Sequence, residues 1–499
     1  MDSPLAEPRR VKQANPFYEC VKDYLQTSSL EERLNSSPLG QTPIQSLSIQ
    51  ERFELLDRMQ DEMFEPTTTA VDIASRICRM LSRGLQSMDP TNAGVRKFTM
   101  TLARNSGVEM SKLPWFSTYA MGMTVKGPTG VGKTYEIQRA LKLIPQRVDH
   151  NASEAAGWTH IRQAVWLFVP MSHDGSLGGL LFQILCSLDE AIETGYSSDK
   201  SLTSLTNEKL AVRIGILLRK HGVGLLVIDE IQSRNFSDNP RGTLAATFFL
   251  RLLNFGIPTV LIGNQLGFAA LEKFSQDIRR LSAGGVISMD PHSVDDWDWE
   301  ECLTPAIWKF CVMPNQEDRS FMRPDVLFKF SGGIRDYACR CWIAAQRLAL
   351  EAERNAVSEA DLEMAFIGSD FGERDRQIIA GFRDKNHQLL SHFSDIDWEY
   401  YGKKWGHLKE PKASTAGRSG KQVTESGEAN QFTESGSAAE QRPKPERDKS
   451  RIQRKRTQES RQKERRKQAK QDLNPDDIRG NGLQKSLISG FEAIRKKNA

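Results

Sequence analysis

Gly127-Pro128-Thr129-Gly130-Val131-Gly132-Lys133-Thr134 follows the β-like run Met121 to Lys126 and opens the helix-like run Tyr135 to Leu143. Glycines in such a loop let backbone N–H groups curl around phosphate oxygens, a lysine neutralises the β and γ phosphates, and a hydroxyl at the Thr134 position ligates Mg²⁺. Strand before, helix after and this spacing together predict a phosphate-binding P-loop with ATP and Mg²⁺ as cofactors.

A second motif supports the first. Leu225-Leu226-Val227-Ile228-Asp229-Glu230 is an apolar run too short for a helix and ends in two carboxylates, 96 residues after Lys133. A buried strand would deliver Asp229 to the carboxyl edge of a parallel sheet beside the P-loop, where it can hold a water on Mg²⁺, and Glu230 can polarise the attacking water. The pair predicts a metal site at Thr134 and Asp229 and a catalytic glutamate at Glu230.

From Pro114 to about Pro291 the pattern alternates strand and helix. Apolar strands are expected at Met121 to Val125, Ala164 to Val169, Gly224 to Ile228, Thr259 to Ile262 and Val286 to Met289. Helices fit at Leu177 to Ile192, Asn207 to Lys220, Gly242 to Asn254 and Leu266 to Phe274, with Ser176 as an N-cap. Five such strands predict an α/β fold, a five-stranded parallel sheet covered by helices. Gly263-Asn264 places an amide at the sheet edge, where it can orient the lytic water or simply cap the next helix. Arg279 and Arg280 lie too far from the P-loop to serve their own nucleotide and are expected to act on a neighbouring subunit's.

The flanks divide by composition. Residues 1–112 alternate proline-punctuated loops with helical runs, and Asn15-Pro16-Phe17-Tyr18 reads as a turn setting aromatics against something apolar. Thr69 to Leu85 has apolar residues at helical spacing and Arg76, Arg79 and Arg83 on another face, which fits solvated arginines or a stripe facing DNA or a partner. The ATPase region spans 113–292, a helical lid 293–368 and a helical extension 369–408. Inside the lid, Ser331-Gly332-Gly333-Ile334-Arg335 would aim Arg335 back at the nucleotide as a second sensor.

Beyond Lys409 the chain turns Gly/Ser/Glu-rich and cannot offset its ordering entropy, so 409–472 is expected as a disordered basic linker and 473–499 as a short docking segment. Arg442 to Lys470 carries fourteen Lys/Arg against four Asp/Glu, a net of +10 in a chain of +4, which leaves about −6 for the rest. A basic block on an acidic body points to a polyanion, nucleic acid first. There is no run of about 18 uncharged apolar residues and no apolar signal core, so no membrane partner is expected and the location expected is cytoplasmic. Seven cysteines with no Cys-x-x-Cys pair argue against a disulfide framework or zinc site.

Taken together the chain resembles an AAA+ ATPase of the initiator and transposition branch, and within it the TnsC family, with TniB and MuB as cousins. The resemblance rests on His173-Asp174-Gly175-Ser176-Leu177, on Gly224 to Gln232, on Val260-Leu261-Ile262-Gly263, and more weakly on Asn15-Pro16-Phe17, Phe64-Glu65-Pro66 and Asn474 to Arg479. It implies an ATPase that forms a ring or helical filament on double-stranded DNA, takes a signal from a target-selector protein, and recruits and activates transposase and endonuclease subunits. Two other readings fit the motifs: a replication initiator or helicase loader, which usually adds a helix-turn-helix domain after the lid, and a signalling switch, which should carry long repeats. Neither addition is visible in the sequence.

Overall fold

A run such as Leu225 to Ile228 is stable as a strand only when both of its faces are covered. The computed structural model describes residues 14–40, 42–114, 118, 120–231, 240–268 and 279–408. All of these belong to the first of two compact units, Met1–Ala413. The linker, the basic block and the docking segment expected beyond Lys409 lie outside the described residues, as do Gln232 and the part of the Leu266 to Phe274 helix after Phe268.

The strands are β1 (Gly122–Lys126), β2 (Arg147–His150), β3 (Ile161–Ala164), β4 (Trp166–Pro170), β5 (Leu225–Ile231), β6 (Thr259–Gly263) and β7 (Gly285–Ser288). Five of them form one parallel sheet in the order β4-β5-β6-β1-β7. Parallel neighbours need crossover connections. Leu177–Ile192 and Asn207–Lys220 lie between β4 and β5, Pro240–Asn254 lies between β5 and β6, and Lys133–Lys142 follows β1. Each strand residue from Leu225 to Ile228 is fully buried under these helices. The fourth helix expected begins at Gln265, one residue early.

The strand expected from Ala164 starts later, at Trp166, because Ile161–Ala164 leaves the sheet to pair antiparallel with Arg147–His150. Arg147–His150 is polar and partly exposed, and Ile161–Ala164 has polar residues at its centre although Gln163 and Ala164 are buried, so neither reads as an apolar run. Ser176 caps Leu177–Ile192, its hydroxyl accepting from Gly179 N at 3.0 Å, and Asp174 Oδ1 accepts from Ser176 N. The motif His173 to Leu177 is thus a loop-to-helix junction.

The N-terminal residues are shared between two cores. Thr67 caps the helix Thr68–Ser87, which buries Ile73, Ile77, Met80, Leu81 and Leu85 in the core of the sheet. At about 1.5–3 kcal/mol for each such side chain, this helix is integral to the core of the sheet and not an appendage. The short helix Pro16–Glu19, capped by Asn15, buries Phe17, whose ring stacks on Trp158 at 5.2 Å. Leu55, Leu56, Met59 and Met63 instead join Trp299, Phe330 and Trp342 in the core of the lid. That second core continues through the helices Arg335–Glu351 and Glu373–Arg383 to Tyr401, so the extension packs with the lid. No helix among the described residues is long and apolar enough to cross a membrane.

Candidate functional site

β1 lies next to β6, and β6 next to β5, so the loop leaving β1 and the carboxylates ending β5 meet at one edge of the sheet. Gly130 and Gly132 adopt φ of 86° and 101°, left-handed values that turn the chain into the helix starting at Lys133. Thr129, Gly130, Gly132, Lys133 and Thr134 line a cleft of about 410 Å³ together with Asp229, Glu230 and Asn264. Gly127 N donates to Gly263 O at 3.2 Å, tying the start of the loop to β6, and Val131 is buried beneath it.

Lys133 Nζ donates to Pro128 O at 2.7 Å, and burial pulls its pKa down to about 8 although the Asp229 charge acts the other way. A desolvated ammonium curled under its own loop is held ready for an anion. Thr134 Oγ1 donates to Asp229 Oδ2 at 2.7 Å, while Asp229 Oδ1 accepts from Glu230 N at 2.7 Å. Burial raises the Asp229 carboxyl above its usual range despite those bonds and the Lys133 charge. A buried carboxylate and a hydroxyl at this spacing are the hard oxygen donors that Mg²⁺ takes, and the residues therefore fit that ion.

The pairing of β5 with β6 slips between Ile228 and Ile231, and Glu230 sits in the slip with φ of 62°. A bulge of this kind re-aims a side chain, and left-handed backbone at a non-glycine residue costs on the order of 1–3 kcal/mol. The result is that Asp229 is buried while the next residue, Glu230, is exposed and lines the cleft.

Residues 118–271 match the AAA domain family. The chain has the AAA+ P-loop fold. No curated protein matches it. Among solved structures it is similar to Orc1 of Aeropyrum pernix in complex with DNA, with 18% identity, a TM-score of 0.33, and coverage of 63% of this chain and 77% of that one. It is also similar to Cdc6p of Pyrobaculum aerophilum (12% identity, TM-score 0.32, 62% and 79% covered) and to the RuvB Holliday junction branch migration motor of Thermotoga maritima (15% identity, TM-score 0.31, 64% and 88% covered). Similarity this distant assigns neither activity nor partner.

Outside the two motifs the AAA domain positions its expected site residues unevenly. Asn264 Oδ1 accepts from Gly267 N at 2.7 Å, so it caps the helix Gln265–Phe268 while still lining the cleft. Arg335 also lines the cleft, and a Cβ on Gly132 would lie 3.6 Å from its Cδ. Its guanidinium is turned aside, donating to Met63 O at 3.2 Å between the rings of Tyr135 and Phe64, 4.6 and 5.1 Å from their centroids. Asp336 N donates to Gly130 O at 3.1 Å, so the first turn of the lid helix rests on the P-loop itself.

Arg279 and Arg280 do not line the cleft. They precede Leu281, whose backbone closes on Gly122 at the opposite edge of the sheet. Five residues of β1 at about 3.3 Å each separate that edge from the P-loop by about 16 Å. Arg279 is exposed, whereas Arg280 Nη2 donates to the buried Asn254 Oδ1 at 2.7 Å.

Gln60, Asp61, Tyr135 and Asp336 line the cleft as well, with Gln60 Nε2 donating to Asp336 Oδ1 at 2.9 Å. None stands in a motif. That turn is held at the cleft from two sides, by the packing of Met59 and Met63 into the lid core and by the P-loop helix, from which Tyr135 Oη and Arg139 Nη2 donate to Asp61 O at 3.0 and 2.9 Å.

Proposed function

We propose that this protein is an ATPase that assembles as a homo-oligomer on double-stranded DNA and regulates transposition, linking target-site selection to the transposase and activating it. The observation that carries the ATPase part is the 2.7 Å contact between Thr134 and Asp229, with Lys133 and Glu230 lining the same cleft. Mg²⁺, when bound there with ATP, neutralises phosphate charge. Lys133 and the P-loop amides hold the phosphates, Thr134 and Asp229 hold the ion and its water, and Glu230 orients and polarises the attacking water. Asn264 and Arg335 read the γ phosphate from the strand end and from the lid.

The site is incomplete within one subunit. Arg279, exposed on the far edge of the sheet, is suited to reach a neighbouring copy's ATP, which makes turnover depend on assembly. The basic block Arg442 to Lys470 and the resemblance to TnsC support the DNA and transposition parts. A reconstituted strand-transfer reaction with the transposase and endonuclease of the same element tests the whole reading. Insertion should require this protein and ATP, and should fail with Lys133→Ala. Insertion at full efficiency without the protein would contradict it.

A further inference from the structure

A second cleft, of about 350 Å³, lies on the edge of the sheet away from the P-loop, with Arg76, Arg79, Ser82 and Arg83 of the helix Thr68–Ser87 along one side and an apolar floor that includes Met80 and Met121. We propose that this cleft is a seat for the sugar–phosphate backbone of double-stranded DNA. The proposal rests on the DNA-bound assembly argued above and gives it a contact surface on the folded body.

Spacing comes first. Residues at i, i+3 and i+7 share one helix face, and seven residues at 1.5 Å rise span about 10 Å, the axial length of about three base steps at 3.4 Å along one strand. Three guanidinia in that span can each meet a phosphate within about three base steps of one strand.

Charge comes second. No carboxylate lines the cleft among the described residues. Arg76 is held in position by Asp72 at 2.8 Å and by Gly284 O, to which it donates at 3.0 Å. A guanidinium has five donors, so these bonds orient it and leave others for a ligand. Arg79 and Arg83 are exposed, and Arg83 Nη1 donates to Met121 Sδ at 3.4 Å, which leaves most of its donors for a ligand. The apolar face of the same helix is locked in the sheet core, which makes the stripe rigid relative to the AAA domain. Guanidinium forks and a serine hydroxyl recognise phosphate without reading bases, so binding here is independent of sequence.

The test compares the full chain, the double variant Arg79→Glu/Arg83→Glu, the charge-keeping Arg79→Lys/Arg83→Lys and a deletion of Arg442 to Lys470. Anisotropy on a short random-sequence duplex is read over a salt series, with ATP affinity as the measure of a folded body. Loss of two phosphate contacts should cut the salt slope by about 0.9 log unit each in the glutamate variant, with ATP affinity unchanged and the lysine variant near the parent. The tail deletion should lower the slope further when combined with it. A glutamate variant with the parent's slope overturns the proposal, as does one that loses self-association while keeping that slope, since the cleft would then face protein. Absence of duplex binding by the unmodified chain would instead remove the DNA-binding reading beneath it.

Discussion

Thr134 Oγ1 and Asp229 Oδ2 lie 2.7 Å apart, joining the first turn of the P-loop helix to the end of β5 across the strand between them. Two oxygens close enough to share a hydrogen are placed to share a metal ion. Asp229→Ala should therefore remove most of the benefit Mg²⁺ gives to ATP binding, by about 10–100-fold, the usual cost of losing a residue that supports a metal. Titrations with Mg²⁺ and with chelator read the difference. An Asp229→Ala protein that gains as much from Mg²⁺ as the parent would remove the carboxylate from the site.

Arg279 and Arg280 are neighbours with different surroundings. The Arg280 guanidinium is bonded to the buried Asn254, whereas the Arg279 side chain is exposed. Arg279→Ala should leave ATP affinity intact yet lower turnover by about 10³-fold, as loss of an arginine finger does. Mixing it with Lys133→Ala should restore part of the activity, because each copy then supplies the half the other lacks. Arg280→Ala should act through stability instead. Mixed assemblies as inactive as either variant alone would argue against a shared site.

Glu136 links the P-loop helix to the lid. Its carboxyl is buried, accepts from Thr67 Oγ1 at 3.4 Å, and is pushed up to about 8 by burial although the Arg335 charge opposes the shift. A carboxyl whose folded pKa is raised stabilises the fold fully below its unfolded value, and that stability is lost as pH rises through the folded value. Between about pH 4.5 and 8 the parent should thus lose stability that Glu136→Gln does not lose. Thermal melts should give the glutamine variant a lead that grows from pH 5.5 to pH 8.5, by about 2 °C for each kcal/mol. A difference that does not grow between the two pH values would mean that Glu136 does not titrate as described.

Local chemistry made much of this legible. The sheet follows from five apolar runs, and Ser176 follows from its place before an amphipathic helix. Lys133, Thr134, Asp229 and Glu230 stand in motifs whose spacing survives without tertiary information. What was hidden depends on contacts between distant segments. Arg147–His150 and Ile161–Ala164 are four-residue strands with no apolar run to betray them, and the turn at Gln60 reaches the cleft through the lid core that takes Met59 and Met63 and through Tyr135 and Arg139 of the P-loop helix. Sequence placed Arg335 over the nucleotide, but its resting bond to Met63 O needed Phe64 and Tyr135 on either side. Nor does any motif announce the left-handed backbone of Glu230.

That backbone points to the measurement that bears most directly on the account, assembly on duplex DNA by Glu230→Gln followed alongside ATP turnover. Removing only the carboxylate that polarises water should leave the phosphate grip of Lys133 and the Thr134–Asp229 pair intact. Glu230→Gln with ATP and Mg²⁺ should form a multi-subunit complex on DNA that persists, while the parent's complex decays as its ATP is consumed. ATP turnover by Glu230→Gln at the parent's rate, or DNA complexes of either protein that ignore ATP, would contradict it.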